Sequence, residues 1–338
     1  MRNLAFINLD TLKKNAEAVK EKLKKSTKLC AVVKADAYGH GSETCANALY
    51  NIADCFAVAI AEEGIRLRLS GIRKDILILT PAIKEELFIA VENGFTLTVQ
   101  SIEELKSVNA AAEHLKRAVK VHIKYDTGMR RYGAESLTEI EKMLNFAKRN
   151  PAVIVDGVYS HLYNTEDIAA VKRQKEKFLL ANNLVKGYNS SATAHLSASG
   201  GFLLGEEFDM VRIGILLYGY KPFPSEKVSV KPVMKIYSPV TAVRSLKKGE
   251  SALYGKRCAE KDTDIFLVRY GYADGLFRSE NEDIYNNRCM DVSAVKGTPS
   301  GRWACVLKNA DELAKKCGTI SYEILTKAAI RAEKIYVT

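Results

Sequence analysis

Residues 31–41 read Ala-Val-Val-Lys-Ala-Asp-Ala-Tyr-Gly-His-Gly, and the chemistry they offer begins with Lys34. This lysine closes an apolar run, Leu29-Cys30-Ala31-Val32-Val33, so it falls where a buried strand stops and a loop begins. Burial disfavours an ammonium, and a desolvated lysine gives up its proton more readily and becomes a nucleophile. Tyr38 and two glycines follow, and Ser42 opens a helix-like segment. The combination suits a lysine that forms a Schiff base beside a small polar pocket. A snorkelling lysine, with its stem along the strand end and its head in water, is the plainer alternative, and an isolated Val-Lys pair would favour it.

Positioning such a lysine takes a scaffold, and the chain's apolar pattern describes one. Short Val- and Ile-rich runs at 29–33, 55–59, 76–79, 95–99, 119–124, 153–158, 192–196 and 209–213 read as strands buried on both faces. Helical patterns separate most of them, at 43–50, 61–70, 84–92, 101–115, 135–148 and 166–186. Upstream, Asp10 is a candidate cap for a helix whose inward face is Leu12, Ala16, Val19 and Leu23. Eight such units predict a (β/α)8 TIM-type barrel, in which function gathers at the C-terminal ends of the strands. Lys34, Lys124, His161, His195 and Arg212 all fall at or just past those ends. Alone, each is more often structural; their convergence on one mouth is the signal.

After Tyr220 the texture changes. Lys221-Pro-Phe-Pro-Ser225 reads as a linker. Strand-like runs at 232–246, 250–254, 264–270 and 290–295, and one helix at 310–317, predict a smaller, mostly β domain. The expected division is a barrel over 8–224 and a β domain over 225–338.

At 338 residues the chain has room for both. It carries no run of about 18 apolar residues and no secretory leader pattern, which argues against a membrane span and for a cytoplasmic setting. Seven scattered cysteines without a CxxC pair fit reduced thiols and offer no metal-ligand spacing. The net charge of +11 is spread over helical faces, as at Lys20, Lys22, Lys24 and Lys25. Without a basic run interleaved with aromatics, nucleic acid is not an expected partner.

The stretch around Lys34 resembles the pyridoxal 5′-phosphate (PLP) lysine motif of the alanine racemases. Further blocks match in the family's order: 124–133 (Lys-Tyr-Asp-Thr-Gly-Met-Arg-Arg-Tyr-Gly), Ser160-His161, 211–219, Leu253-Tyr254-Gly255, 271–275, Cys289-Met290-Asp291 and 318–323. The resemblance implies a PLP-dependent, homodimeric amino-acid racemase with a site shared between subunits, and a β domain that residues 1–7 join. Lys34 then binds the cofactor and, once released, is the base on one face, while Tyr254 of the second subunit is the base on the other. His161 and Arg212 flank the cofactor, with Arg212 facing its ring nitrogen. Tyr38, Ser199 and the amides of Gly214 and Ile215 are phosphate candidates. Arg131 anchors the substrate carboxylate, with Met290 nearby. Lys124, in some members carbamylated, steadies Arg131. His195 supports the mouth, and Tyr272, Asp274 and Arg278 line the access path.

The chain departs from the family pattern in three ways. Ala198-Ser199 replaces an Asn-Ser pair, a second family tyrosine near the C-terminus aligns with Ile330, and little sequence lies between Arg278 and Met290. Losing one polar group near a substrate side chain shifts selectivity by only about 1–3 kcal/mol, so serine or a broader set stands as an alternative to alanine, and a basic amino acid is a more distant one. A non-catalytic PLP-binding barrel is the alternative from another class, but such proteins lack both a β domain and an opposing tyrosine.

Overall fold

The computed structural model describes residues 2–278 and 284–338, and the chain forms two compact units. One comprises Lys13–Ala35 and Ser42–Val230; the other takes in the chain up to Leu12, Asp36–Gly41 and Lys231–Thr338. Residues 36–41, inside the barrel portion of the sequence, thus group with the second unit. Part of the interval between Arg278 and Met290, residues 279–283, lies outside the described residues.

In the first unit, eight parallel strands are β2 (Lys28–Val32), β3 (Cys55–Val58), β4 (Ile76–Ile78), β5 (Thr96–Val99), β6 (Val119–Lys124), β7 (Val153–Tyr159), β8 (Thr193–His195) and β9 (Met210–Ile213). They are ordered β8-β7-β6-β5-β4-β3-β2-β9. The remaining seam, β8 to β9, is bonded less regularly: Asp209 N–H donates to Ala194 O at 3.0 Å and Arg212 N–H to Ser197 O at 3.0 Å. Each strand lies within two residues of its predicted span. The reason is physical: strands covered on both faces must be apolar throughout, and Leu29, Cys30, Ala31, Phe56, Ala57, Val121 and Ile123 are fully buried.

The helices between strands follow the same logic. Ser101 caps Ile102–Leu115 by accepting from Glu104 N–H, and Ser136 caps Leu137–Ala147 likewise. The first helix, Leu9–Glu21, corrects one expectation. Asp10 lies inside its first turn, and the cap is Asn8, whose Oδ1 accepts from Thr11 N–H at 2.6 Å. Leu12, Ala16 and Val19 are fully buried as predicted, while Leu23 lies past the helix end and is half-buried.

The second unit is a six-stranded sheet of β1 (Leu4–Asn8), β10 (Met234–Leu246), β11 (Thr263–Val268), β12 (Ser293–Lys296), β13 (Trp303–Leu307) and β14 (Glu333–Val337). Its order is β12-β11-β10-β1-β14, with β13 also on β10. The N-terminal strand is therefore part of this sheet. Helix Ala310–Cys317 is present, and a second helix, Ser321–Ala328, follows it. The run 250–254, expected as a strand, is a loop. Leu253 has φ 57°, a left-handed conformation that breaks a strand, and the segment meets its neighbours through isolated bridges, Ser251 to Cys258 and Tyr254 to Asn287.

Candidate active site

The C-terminal ends of the barrel strands bring the charged residues of the sequence analysis together. Lys34 lies two residues past β2, Lys124 ends β6, His161 follows β7, His195 ends β8 and Arg212 sits in β9. Lys34 is half-buried. Burial is the main force pulling its pKa down; the cations of Arg131 and Arg212 add to it, and Glu63 opposes. Glu63 also fixes the backbone here, accepting Ala35 N–H at 2.6 Å on one oxygen and Ala59 N–H at 2.7 Å on the other. It ties the ends of β2 and β3 together.

Past Lys34 the chain turns left-handed. Residues 35–38 have φ between 51° and 55°, although none is glycine. Such a turn costs roughly 1–2 kcal/mol per residue, so its surroundings must hold it. Gly41 N–H donates to Asp36 O at 2.8 Å, and Lys334 Nζ bonds Asp36 Oδ2 at 2.6 Å. Strain of this kind concentrates at functional sites.

Arg212 is the most heavily bonded side chain of the barrel mouth. Nη1 donates to His195 Nδ1 at 2.7 Å and His195 O at 2.9 Å; Nη2 donates to Ser160 O at 2.8 Å and Leu196 O at 3.2 Å. His161 Nδ1 lies 3.4 Å from the same Nη2. Burial lowers the pKa of Arg212 to about 10, so it remains a cation at neutral pH. Beside it, His161 and His195 are held well below the usual imidazole range, by burial first and by the Arg212 charge second.

Tyr159 organises the other side. Its ring stacks on His195 with centroids 4.7 Å apart and planes within 6°, and its hydroxyl bonds Thr98 Oγ1 at 2.8 Å and donates to Leu79 O at 3.0 Å. Lys124 Nζ lies 4.4 Å from the Tyr159 ring centroid. Burial, then Arg212 and Arg131, pull the Lys124 pKa down to about 7. Arg131 is exposed, on a loop that folds back so that Ala134 N–H reaches Lys124 O at 2.8 Å. Arg131 and Lys124 are thus like charges within electrostatic reach.

The phosphate candidates divide between the units. In the barrel, Ser199 opens the short helix Ser199–Leu203 and its Oγ accepts from Gly214 N–H at 3.4 Å; Ile215 is fully buried next to it. In the second unit, Tyr38 packs against Tyr322, ring centroids 5.9 Å apart. Burial raises both phenols, Tyr322 to about 12, so both stay protonated and can donate.

The second unit also carries Tyr254, which is 64% exposed and has the Arg278 guanidinium 6.0 Å from its ring. Its loop is braced by Asn286, whose Nδ2 donates to Ser251 Oγ at 3.1 Å, Ala252 O at 2.7 Å and Arg257 O at 3.2 Å, while Oδ1 accepts Arg257 N–H at 3.1 Å. Gly255 is required beside it, since a Cβ there would stand 2.3 Å from Asn286 Oδ1. Met290 is 55% exposed and its carbonyl accepts Ala273 N–H at 2.9 Å. Asp274 is buried, accepting from Gly271 N–H at 2.8 Å and Asn3 Nδ2 at 3.2 Å, so it holds the turn that presents Tyr272.

Two family models cover almost the whole chain: "Alanine racemase, N-terminal domain" over residues 7–222 and "Alanine racemase, C-terminal domain" over residues 233–336. The chain belongs to the alanine racemase family. It is 33% identical to alanine racemase from Aquifex aeolicus, with 96% of this chain and 98% of that one aligned. It is 34% identical to alanine racemase 1 of Bacillus subtilis, over 98% of this chain and 92% of the relative. Among solved structures, alanine racemase of Clostridium difficile superposes with a TM-score of 0.92 at 29% identity, covering 100% of this chain and 96% of that one.

Within this alanine racemase fold, one departure inferred from sequence is corrected. Ile330 is 70% exposed, at the edge of a polar pocket lined by Arg2, Asn3 and Arg331. The tyrosine found beside the phosphate candidate Tyr38 is Tyr322, in the matched block 318–323. Tyr159, His122, Glu63 and Asn286 escape sequence reading as well. Tyr159 immediately precedes the matched Ser160-His161 pair, which is the one local signal for it.

Proposed function

We propose that this protein interconverts L- and D-alanine with pyridoxal 5′-phosphate, using Lys34 and Tyr254 as bases on opposite faces of the substrate, in a cytoplasmic homodimer that shares its sites between subunits. The observation that carries the reading is the barrel mouth itself: an amine with lowered basicity at the end of β2, in the field of a buried arginine fixed by four donated hydrogen bonds. The donor set fits the cofactor. Lys34 offers the amine, Ser199 and the Gly214 and Ile215 amides offer small-group donors for a phosphate, and Tyr38 and Tyr322 offer phenols.

When bound, the cofactor supplies a ring into which the electron pair left on Cα can spread. The protein does the rest. Arg212 donates hydrogen bonds and cannot accept one, so a ring nitrogen facing it would accept that bond on its lone pair and stay unprotonated. That limits the electron sink and favours return of the proton to Cα over transamination. Arg131, exposed at the mouth, binds the substrate carboxylate. Lys34, its basicity reduced, takes or returns the proton on one side. Tyr254 does so on the other, and its exposure, with that of Met290, suits residues offered to a second copy of the chain. Alanine is favoured over serine because the ground for wider specificity was a missing tyrosine, and Tyr322 stands beside Tyr38.

The test is inversion in deuterated water. Cofactor-loaded protein given L-alanine should release D-alanine carrying deuterium at Cα, faster than it inverts serine. A loaded protein that binds alanine without exchanging the Cα proton would leave a cofactor-binding protein and end the racemase reading.

A further inference from the structure

Behind Arg212 a line of polar side chains runs back through the barrel. His195 Nε2 lies 2.8 Å from His122 Nδ1, and His122 Nε2 lies 4.0 Å from Asp156 Oδ2. His195 is fully buried and His122 is 5% exposed, whereas the Asp156 side chain is partly exposed and meets Lys120 Nζ at 3.7 Å. The directions along this line follow from one fact. A guanidinium only donates, so His195 Nδ1, at 2.7 Å from Arg212 Nη1, must present its lone pair. His195 is neutral, so its proton is on Nε2 and points at His122. His122 Nδ1 must then accept, and its own proton sits on Nε2, facing the Asp156 carboxylate. His122 is neutral too, its pKa pulled down to about 3 by burial and then by Lys120 and Arg212.

The backbone is shaped for this arrangement. The pairing of β6 with β7 slips by one residue here: Val121 opposes Val155, but His122 opposes Gly157, leaving Asp156 as the extra residue of a bulge. Bulges re-aim side chains beside active sites. Gly157 makes the space: a Cβ there would stand 2.7 Å from His122 Nε2 and 2.6 Å from Thr193 O. A bulge, a glycine and two buried imidazoles converge on a single alignment.

We infer that His122, placed by the Asp156–Gly157 bulge, is a positioning residue: it accepts the Nε2 proton of His195, which lets His195 keep its Nδ1 lone pair on Arg212 and keeps Arg212 aimed at the mouth. Its consequence for catalysis rests on the proposed racemase function; the tautomer arrangement does not.

Histidine-selective 15N labelling of the full chain without added cofactor tests it, since the chain has five histidines. His195 should show Nδ1 in the range of a bare imidazole nitrogen and Nε2 in that of an N–H. In His122→Phe the tautomer should persist, because Arg212 still claims the Nδ1 lone pair, but the buried Nε2–H, left without an acceptor, should lose its hydrogen-bonded 15N shift. His122→Asn places an amide oxygen near the lost Nδ1 and should restore it. In the loaded protein, kcat should fall about ten- to a hundred-fold in His122→Phe, the size of effect seen when partners behind metal-bound histidines are removed. KM for alanine should move little, and His122→Asn should recover most of the loss. A wild-type His195 with its proton on Nδ1, or an unchanged Nε2–H shift in folded His122→Phe, overturns the inference. So does an equal loss of kcat in the Phe and Asn variants, which would indicate packing. If the tautomers are as expected but wild-type protein does not racemise alanine, the proposed function fails and the alignment stands.

Discussion

Arg212 and Tyr254 are held in opposite ways. Arg212 is 3% exposed, and its nitrogens are committed to carbonyls and an imidazole from the ends of β7 and β8. Tyr254 is 64% exposed, on a loop with a left-handed residue before it and a buried asparagine side chain standing in for sheet bonds. A barrel can build the first kind of site by itself, because parallel strand ends converge and bury what they carry. The second kind presents its side chain outward on a braced arm. Under the proposed function, holding the ring-facing group and offering the second base would be separate tasks, given to separate units.

The largest expected effects come from removing one proposed base from each region. Lys34→Ala and Tyr254→Phe should each lower alanine racemisation by about 10²–10⁴-fold or more, the range for loss of a general acid–base group. They should differ in absorbance: Lys34→Ala loses the band of the lysine-attached cofactor and Tyr254→Phe keeps it. Co-expressing the two inactive chains then breaks or keeps the comparison. If Tyr254 serves a neighbouring copy, mixed dimers hold one intact site and activity returns. Absence of any recovery in verified mixed dimers would mean that each tyrosine serves its own chain.

A smaller effect is expected from the brace. Asn286→Ala removes the hydrogen bonds joining 251, 252 and 257 and leaves the Arg257 N–H without its partner. Stability should drop by roughly 1–3 kcal/mol, the cost of a buried polar group left unpaired. Racemisation should fall with the Lys34 cofactor band intact, because the barrel mouth does not depend on this loop. A weakened band would show that the two regions are not separable in this way.

How far each region is legible in the sequence follows from the same contrast. The barrel strands read clearly where burial on both faces leaves no polar positions to blur their edges, as in Leu29–Val33 or Ile76–Ile78. The mouth residues then follow from strand-end position. The β domain reads less well. The 250–254 run has strand-like composition, but Leu253 adopts a left-handed conformation, and the Asn286 side chain that allows it lies more than thirty residues downstream. The left-handed turn at 35–38 has no composition signal either, since alanine, aspartate and tyrosine carry no tendency to run left-handed in succession. Helix Ser321–Ala328 is missed for a related reason: it is short, and its inward face is set by packing of Ile324, Leu325 and Ala328.

The smallest expected effect concerns Lys124 and sharpens what the barrel mouth tolerates. Its pKa falls from 10.5 to about 7 in the folded chain, chiefly through burial and secondarily through Arg212 and Arg131. Between those two values the unfolded chain binds a proton that the folded chain does not, so stability contributed by this group rises with pH, by up to about 1.4 kcal/mol per unit. Below about pH 7 the lysine is charged in both states and the penalty is constant. A neutral amine near pH 7 is also free to add carbon dioxide, forming a carbamate and releasing one proton. The anion so formed would stand in the field of Arg131 and Arg212 and replace repulsion with attraction. Melting curves at pH 7.5 should therefore rise by a few degrees in bicarbonate over carbon dioxide-free buffer, and the pH slope should flatten. Lys124→Ala should abolish both responses. Identical melting in the two buffers, with the slope retained, would mean that this lysine stays an unmodified amine and that Arg131 is steadied by another group.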